Sequence, residues 1–100
     1  MTEVDTSAAS GNVLQNMINL VQGIACALVD SPEIVQVEAL DDGDGTLLRL
    51  RVAPGDVGKV IGKQGRTARS MRTILSAASM KFKHRFALDI IENETGDSAA

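Results

Sequence analysis

Apolar residues recur along Asn12–Asp30 at Leu14, Met17, Ile18, Val21, Ile24, Ala25 and Leu28, one face of a 3.6-residue period, which predicts an amphipathic helix. Ser10 or Asn12 stands where a cap belongs, and Ser31-Pro32 ends the helix, because the residue before proline is pushed out of the helical region. The period then changes to two. Ile34–Leu40 places Val35, Val37 and Ala39 on one face and Gln36 and Glu38 on the other; Thr46–Ala53 places Leu48, Leu50 and Val52 inward and Arg49 and Arg51 outward. Between them Asp41-Asp42-Gly43-Asp44-Gly45 is a strong turn signal. A loop of Asp42–Gly45 pairs Ala39 with Leu48, Val37 with Leu50 and Val35 with Val52, which keeps both apolar sets on one side of a hairpin. The same register sets Glu38 opposite Arg49. Arg49 and Arg51 therefore have structural work available and are left out of the candidate site.

Pro54-Gly55 breaks the second strand, and Asp56 is placed to cap a short helix through Ile61, with Val57, Val60 and Ile61 toward the core. After Gly62–Gly65 a longer helix runs from Arg66 to about Met80, burying Ala68, Met71, Leu75 and Ala78 with Ile74 at the edge. Its other side shows Arg66, Arg69 and Arg72. His84–Glu92 is the last strand, with Phe86, Leu88 and Ile90 inward. The order is α-β-β-α-α-β. Two helices between the second and third strands make a crossover, so those strands are parallel neighbours. The expected architecture is α+β: a three-stranded mixed sheet covered on one face by three helices. Residues 11–92 form the domain, and residues 1–10 and 93–100 read as disordered tails with nothing to bury.

Charge changes the picture more than composition does. The net charge is −3, yet all ten Lys and Arg lie between Arg49 and Arg85, a window holding one acid, Asp56, and so about +9. Such asymmetry puts a basic face on an otherwise acidic protein and points to a polyanion. No apolar run reaches the roughly 18–20 residues of a membrane span, and Glu3 and Asp5 stand where a secretory signal carries cations. Cys26 is the only cysteine, so no internal disulfide can form and a reducing cytoplasm is the expected home. It reads as a small buried hydrophobe.

The richest candidate chemistry lies at Gly62-Lys63-Gln64-Gly65. Its glycines open turns closed to other residues and remove Cβ atoms that would hold a polyanion away. The helix that follows offers its unpaired N–H groups and positive dipole end. Lys63 adds charge at the tip, and Arg66 and Arg69 carry it along the helix. Two nucleotide-site readings fail. Gly58–Gln64 is one residue short of a P-loop and has Gln where Ser or Thr must hold magnesium, and a dinucleotide fingerprint needs glycine where Val60 stands.

In context, Val60-Ile61-Gly62-Lys63-Gln64-Gly65 between two helices resembles a KH domain, and the element order resembles the bacterial type II form. Across Ala53–Ala78, with Pro54-Gly55-Asp56, Arg66-Thr67-Ala68 and Arg72-Thr73, the chain is similar to the small stand-alone bacterial KH proteins of the KhpA type. Ala68, where a larger aliphatic is usual, implies a shallower groove wall. The resemblance implies single-stranded RNA binding, about four nucleotides clamped on the backbone side by the turn. Carried over by position, Val60 and Ile61 form an apolar floor; Gly62, Lys63, Gln64 and Gly65 grip the backbone; Arg66 and Arg69 extend the grip; Lys81, Lys83 and Arg85 form the far wall. It also implies an RNA chaperone or post-transcriptional regulator that forms a homodimer, or a heterodimer with a larger multi-domain KH RNA-binding protein.

Other residues carry less. His84 has no acidic or cysteine neighbour at metal-ligand spacing and reads as a surface residue, so no metal or cofactor is expected. Asp41, Asp42 and Asp44 alternate like a calcium loop but lack its later ligands. One histidine, one cysteine and no paired carboxylates in the basic region offer no nucleophile–base pair, which argues against an enzyme. Phe82 and Phe86 are the only aromatics, so stacking platforms are not the means of binding. No charge falls between Asp5 and Asp30, and the outer face of the first helix (Gln15, Asn16, Asn19, Gln22, Gly23, Ala27) suits a protein contact. That face supports an alternative, an adaptor subunit of a larger RNA-binding partner with a weak or vestigial cleft.

Overall fold

The computed structural model describes residues 9–93. Helix α1 spans Ala9–Leu28, strand β1 Gln36–Asp41, β2 Gly45–Val52, helix α2 Val57–Ile61, α3 Arg66–Phe82 and β3 Arg85–Glu92. Short 3-10 turns at Pro32–Ile34, Pro54–Asp56 and Lys63–Gly65 join them. The tails expected at 1–10 and 93–100 fall outside the described residues, apart from Ala9 and Ser10 in the first turn of α1 and Asn93 after β3.

The sheet order is β1-β2-β3, with β1 antiparallel and β3 parallel to β2. Val37 pairs with Leu50, Ala39 with Leu48 and Glu38 with Arg49, as the alternation requires. Val35 precedes β1, so its expected pairing with Val52 is absent; its N–H bonds to Pro32 O at 3.2 Å instead. All three helices pack on the face that carries Leu48, Leu50, Val52, Phe86 and Leu88. Burying that face and the apolar stripes of the helices is what drives this two-layer arrangement.

Four local expectations are corrected. Helix α1 begins at Ala9, upstream of Ser10 and Asn12, so neither stands at a cap position. At its other end Leu28 is 40% exposed, and Val29 takes the buried place. Asp56 makes no side-chain capping bond to α2. Ile61 is 36% exposed rather than in the core, since in a five-residue helix Val60 occupies the inward position. Along α3 the expected stripe holds: Ala68, Met71 and Leu75 are buried, Ala78 packs at the margin and Ile74 is exposed.

The helix-free face of the sheet accounts for two of the basic residues. Arg51 donates to Glu38 Oε1 through Nε at 3.3 Å and Nη2 at 3.2 Å, a diagonal contact two residues from its direct partner Gln36. Arg49 Nε lies 3.4 Å from Asp89 Oδ2, a charge contact rather than a hydrogen bond, and this buried nitrogen has no other partner among the described residues. Both arginines are thus engaged on the sheet, consistent with leaving them out of the site.

Candidate nucleic-acid interface

The turn between α2 and α3 is built from backbone conformations that few residues accept. Gly62 sits at φ 82°, ψ 168°, a region open essentially to glycine alone, and Gly65 at φ 74°, ψ 13°. Between them Gln64 adopts φ 58°, ψ 26°, a left-handed conformation that costs a side-chain-bearing residue about 1 kcal/mol. Three bonds hold the turn: Gly62 N–H donates to Gly58 O at 2.9 Å, Gly65 N–H donates to Gly62 O at 3.0 Å, and Arg66 N–H donates to Lys63 O.

Its surroundings are open and cationic. Lys63, Gln64, Arg66 and Arg69 are exposed, and none of the three cations has an ion-pair partner among the described residues. Arg69 lies one turn beyond Arg66, so the two continue the charge of Lys63 along the first two turns of α3. Arg66, the first residue of α3, donates its N–H to Lys63 O, so the positive dipole end of this 17-residue helix adjoins the turn. Ile61 contributes the apolar surface beside the turn. Val60 is fully buried, so it supports that surface from below rather than lining it.

Two neighbouring cations are occupied. Lys59 Nζ lies 3.4 Å from Asp30 Oδ2 and 3.6 Å from Asp56 Oδ1. Arg72 Nη2 donates to Leu88 O at 3.3 Å and ties α3 to β3.

Lys81, Lys83 and Arg85 do not join this group. They stand at the C-terminal end of α3 and the start of β3. Fifteen residues of helix separate Lys81 from Arg66, roughly 22 Å at 1.5 Å per residue. That end has its own structural accounting. Lys83 closes α3 in a left-handed conformation, and cations there suit the negative end of the helix dipole. Lys81 Nζ lies 5.2 Å from the Phe82 ring centre. Thr46 Oγ1 and His84 Nε2 are hydrogen-bonded at 2.8 Å, and Gly45 is the register partner of Arg85. The second basic group therefore adjoins the β1–β2 turn, where Asp41, Asp42 and Asp44 are exposed. Asp41 and Asp42 accept N–H groups of Gly43, Asp44 and Gly45 within that turn, so these acids serve the hairpin while lowering the positive potential beside Lys83 and Arg85. Among the described residues no group of three or more His, Cys, Asp or Glu could hold a metal ion. Nor is any described helix long and apolar enough to cross a membrane.

The family model for the KhpA/KhpB KH domain matches residues 18–90, from the middle of α1 to the end of β3. The chain belongs to that family. Its order of elements and mixed sheet are those of the type II KH fold. Among its relatives is a protein of Halalkalibacterium halodurans, 53% identical over 76 residues, covering 76% of this chain and all of the relative. A second, from Treponema pallidum, is 53% identical over 74 residues, 73% of this chain and 91% of the relative. A third, from Caldanaerobacter subterraneus, is 48% identical over 75 residues, 75% of this chain and all of the relative. Each bears the name RNA-binding protein KhpA.

Two contacts near the turn are not visible in the sequence. Arg72 belongs to the basic stripe by spacing but is anchored to β3 through Leu88 O. Asp56 stands where a cap belongs, and its hydrogen-bond partners lie 25 and 26 residues away, beyond any local pattern.

Proposed function

We propose that the chain is a non-enzymatic single-stranded-RNA-binding protein that holds the RNA backbone at Gly62–Gly65, with Lys63, Arg66 and Arg69 supplying the charge. One observation carries this reading: the turn is exposed, strained and flanked by three cations with no ion-pair partner among the described residues. Phosphates approach where the glycines remove Cβ atoms, and Gln64 offers a neutral donor at the tip. Ile61 gives an apolar contact for a base. Without an aromatic platform at the turn, about four nucleotides are held mainly through their backbone, with modest affinity and loose sequence preference. Lys81, Lys83 and Arg85 form a separate group that only a longer RNA reaches. Such a module fits an RNA chaperone or post-transcriptional regulator working in the cytoplasm. The family match and the names of the relatives support the RNA assignment.

Association with a second copy or with a larger KH protein is part of the proposal. The outer residues of α1 expected to make such a contact, Gln15, Asn16, Asn19, Gln22, Gly23 and Ala27, are exposed and uncharged. Pairing would place two short grips on one particle and raise avidity without new contacts. The same face favours the second reading, an adaptor whose own RNA grip is weak.

Binding of a short fluorescent single-stranded RNA to the wild type and to Lys63→Asp/Gln64→Asp separates the two, with circular dichroism confirming that the variant folds. The RNA reading expects binding to collapse in the variant. Equal binding by both proteins leaves the adaptor.

A further inference from the structure

Asp56 immediately precedes α2, where a carboxylate ordinarily caps the helix, yet it makes no capping bond. It is only 3% exposed. Its Oδ1 accepts the N–H of Asp30 at 3.2 Å and its Oδ2 accepts the N–H of Ser31 at 3.1 Å. Lys59 Nζ, 3.6 Å from Asp56 Oδ1 and 3.4 Å from Asp30 Oδ2, offsets one of the two negative charges. Withdrawing a carboxylate from water is costly unless bonds and a countercharge compensate, and here both are present. The two donors belong to the segment where α1 has broken off before Pro32, so no helix bond serves them. Asp56 thus joins the exit of α1 to the entry of α2.

The consequence reaches the turn through the shortness of α2. A helix of five residues cannot hold itself in place by its own hydrogen bonds. Its position is set by its anchors: Val60 in the core and the Asp56 bonds at its foot. The turn hangs from its far end, where Gly62 N–H bonds to Gly58 O. Any displacement of α2 is passed to Gly62 and changes where Lys63 stands relative to Arg66 on α3, which has a core anchorage of its own in Ala68, Met71 and Leu75.

We propose that Asp56 is a positioning residue for the RNA grip, setting the Gly62–Gly65 turn against α3 from inside the protein without touching RNA. The inference rests on the reading of that turn as the RNA grip, and it adds a device the family match does not supply.

The test compares the wild type, Asp56→Asn and Lys63→Asp/Gln64→Asp by amide NMR spectra and by RNA titration over a range of salt. Asn keeps the shape of the side chain but loses the charge and one acceptor. The expected result has two parts. The amide signals of Gly62 and Gly65 shift in Asp56→Asn, while those at the end of α3 and in the β1–β2 hairpin stay in place. RNA affinity falls, by up to about tenfold, the worth of one charge-assisted hydrogen bond if all of it is needed to hold the turn, with an unchanged salt slope because the cations themselves remain. A merely structural role would lower the melting temperature and leave both readouts of the folded protein unmoved.

Signal changes confined to residues 28–34 and 56–59, with Gly62 and Gly65 unmoved, overturn the proposal. So does wild-type affinity in Asp56→Asn alongside lost affinity in the Lys63/Gln64 variant, a result that leaves the RNA reading intact. Equal RNA binding by all three proteins defeats the RNA reading and, with it, any positioning role of Asp56 in RNA binding. Should Asp56→Asn not fold, Asp56→Glu, which keeps the charge on a longer arm, takes its place under the same criteria.

Discussion

Three glycines around the turn sit in different local environments, and replacing each by alanine should separate them. Gly62 is the severe case. Its φ of 82° with ψ of 168° is open essentially to glycine, which costs alanine about 1–3 kcal/mol. A Cβ there would also collide with Thr67 Oγ1, approach Thr67 Cβ to 2.7 Å and Thr67 N to 2.9 Å. Overpacking of that kind adds about 1–3 kcal/mol, so the total is roughly 2–6 kcal/mol. Gly65 has positive φ but open space around a new Cβ, so Gly65→Ala should cost only about 1–2 kcal/mol. Gly58 lies inside α2 with no positive φ and nothing within 4 Å. There alanine should stabilise by about 0.5–1 kcal/mol through a less flexible unfolded chain and better helix propensity. For a domain of this size about 1 kcal/mol moves the melting temperature by about 4–8 °C. Thermal or urea unfolding should therefore rank Gly58→Ala above wild type, Gly65→Ala modestly below and Gly62→Ala far below. Removing the hydroxyl with Thr67→Ala should relieve part of the Gly62→Ala penalty and no more, because the backbone nitrogen and Cβ of residue 67 remain. Equal losses at Gly62 and Gly65, or full rescue by Thr67→Ala, would refute the reasoning.

Three further outcomes follow from the same geometry. With Lys63, Arg66 and Arg69 as the phosphate contacts, log affinity for RNA against log salt should fall with a slope of about −2, and each alanine substitution among them should reduce it by about 0.7; titrations from low to moderate salt check this. The Arg51–Glu38 pair is part-buried on the helix-free sheet face, so a double-mutant cycle by urea unfolding should give a coupling of about 0.2–1 kcal/mol, with RNA affinity unchanged by Arg51→Ala. Leu50 is fully buried on β2, the central strand of the sheet, and Leu50→Ala should cost about 2–5 kcal/mol in the same assay.

The hairpin was legible because a period of two and a glycine-rich turn leave one register that buries Leu48 and Leu50 together. The parallel pairing of β2 with β3 followed from the crossover. What escaped the sequence were contacts between distant segments. Asp56 precedes a helix, and only the folded chain reveals that Asp30 and Ser31 claim its carboxylate. Arg51 reaches diagonally to Glu38, a choice between near-equal neighbours that register alone does not make. A run of cations in sequence reads as one face, but α3 carries Arg66 and Lys81 at its opposite ends and sets the second group beside the acidic hairpin turn. The helical rise already contained that separation, about 1.5 Å for every residue between them.

The central claim is that RNA lies against the Gly62–Gly65 turn, and an amide NMR titration with a short single-stranded RNA tests it most directly. The account predicts that signals of Gly62 through Arg69 shift in proportion to RNA bound, while those of Lys81, Lys83 and Arg85 stay where they are. Shifts concentrated on Lys81–Arg85, with the turn unmoved, would contradict it.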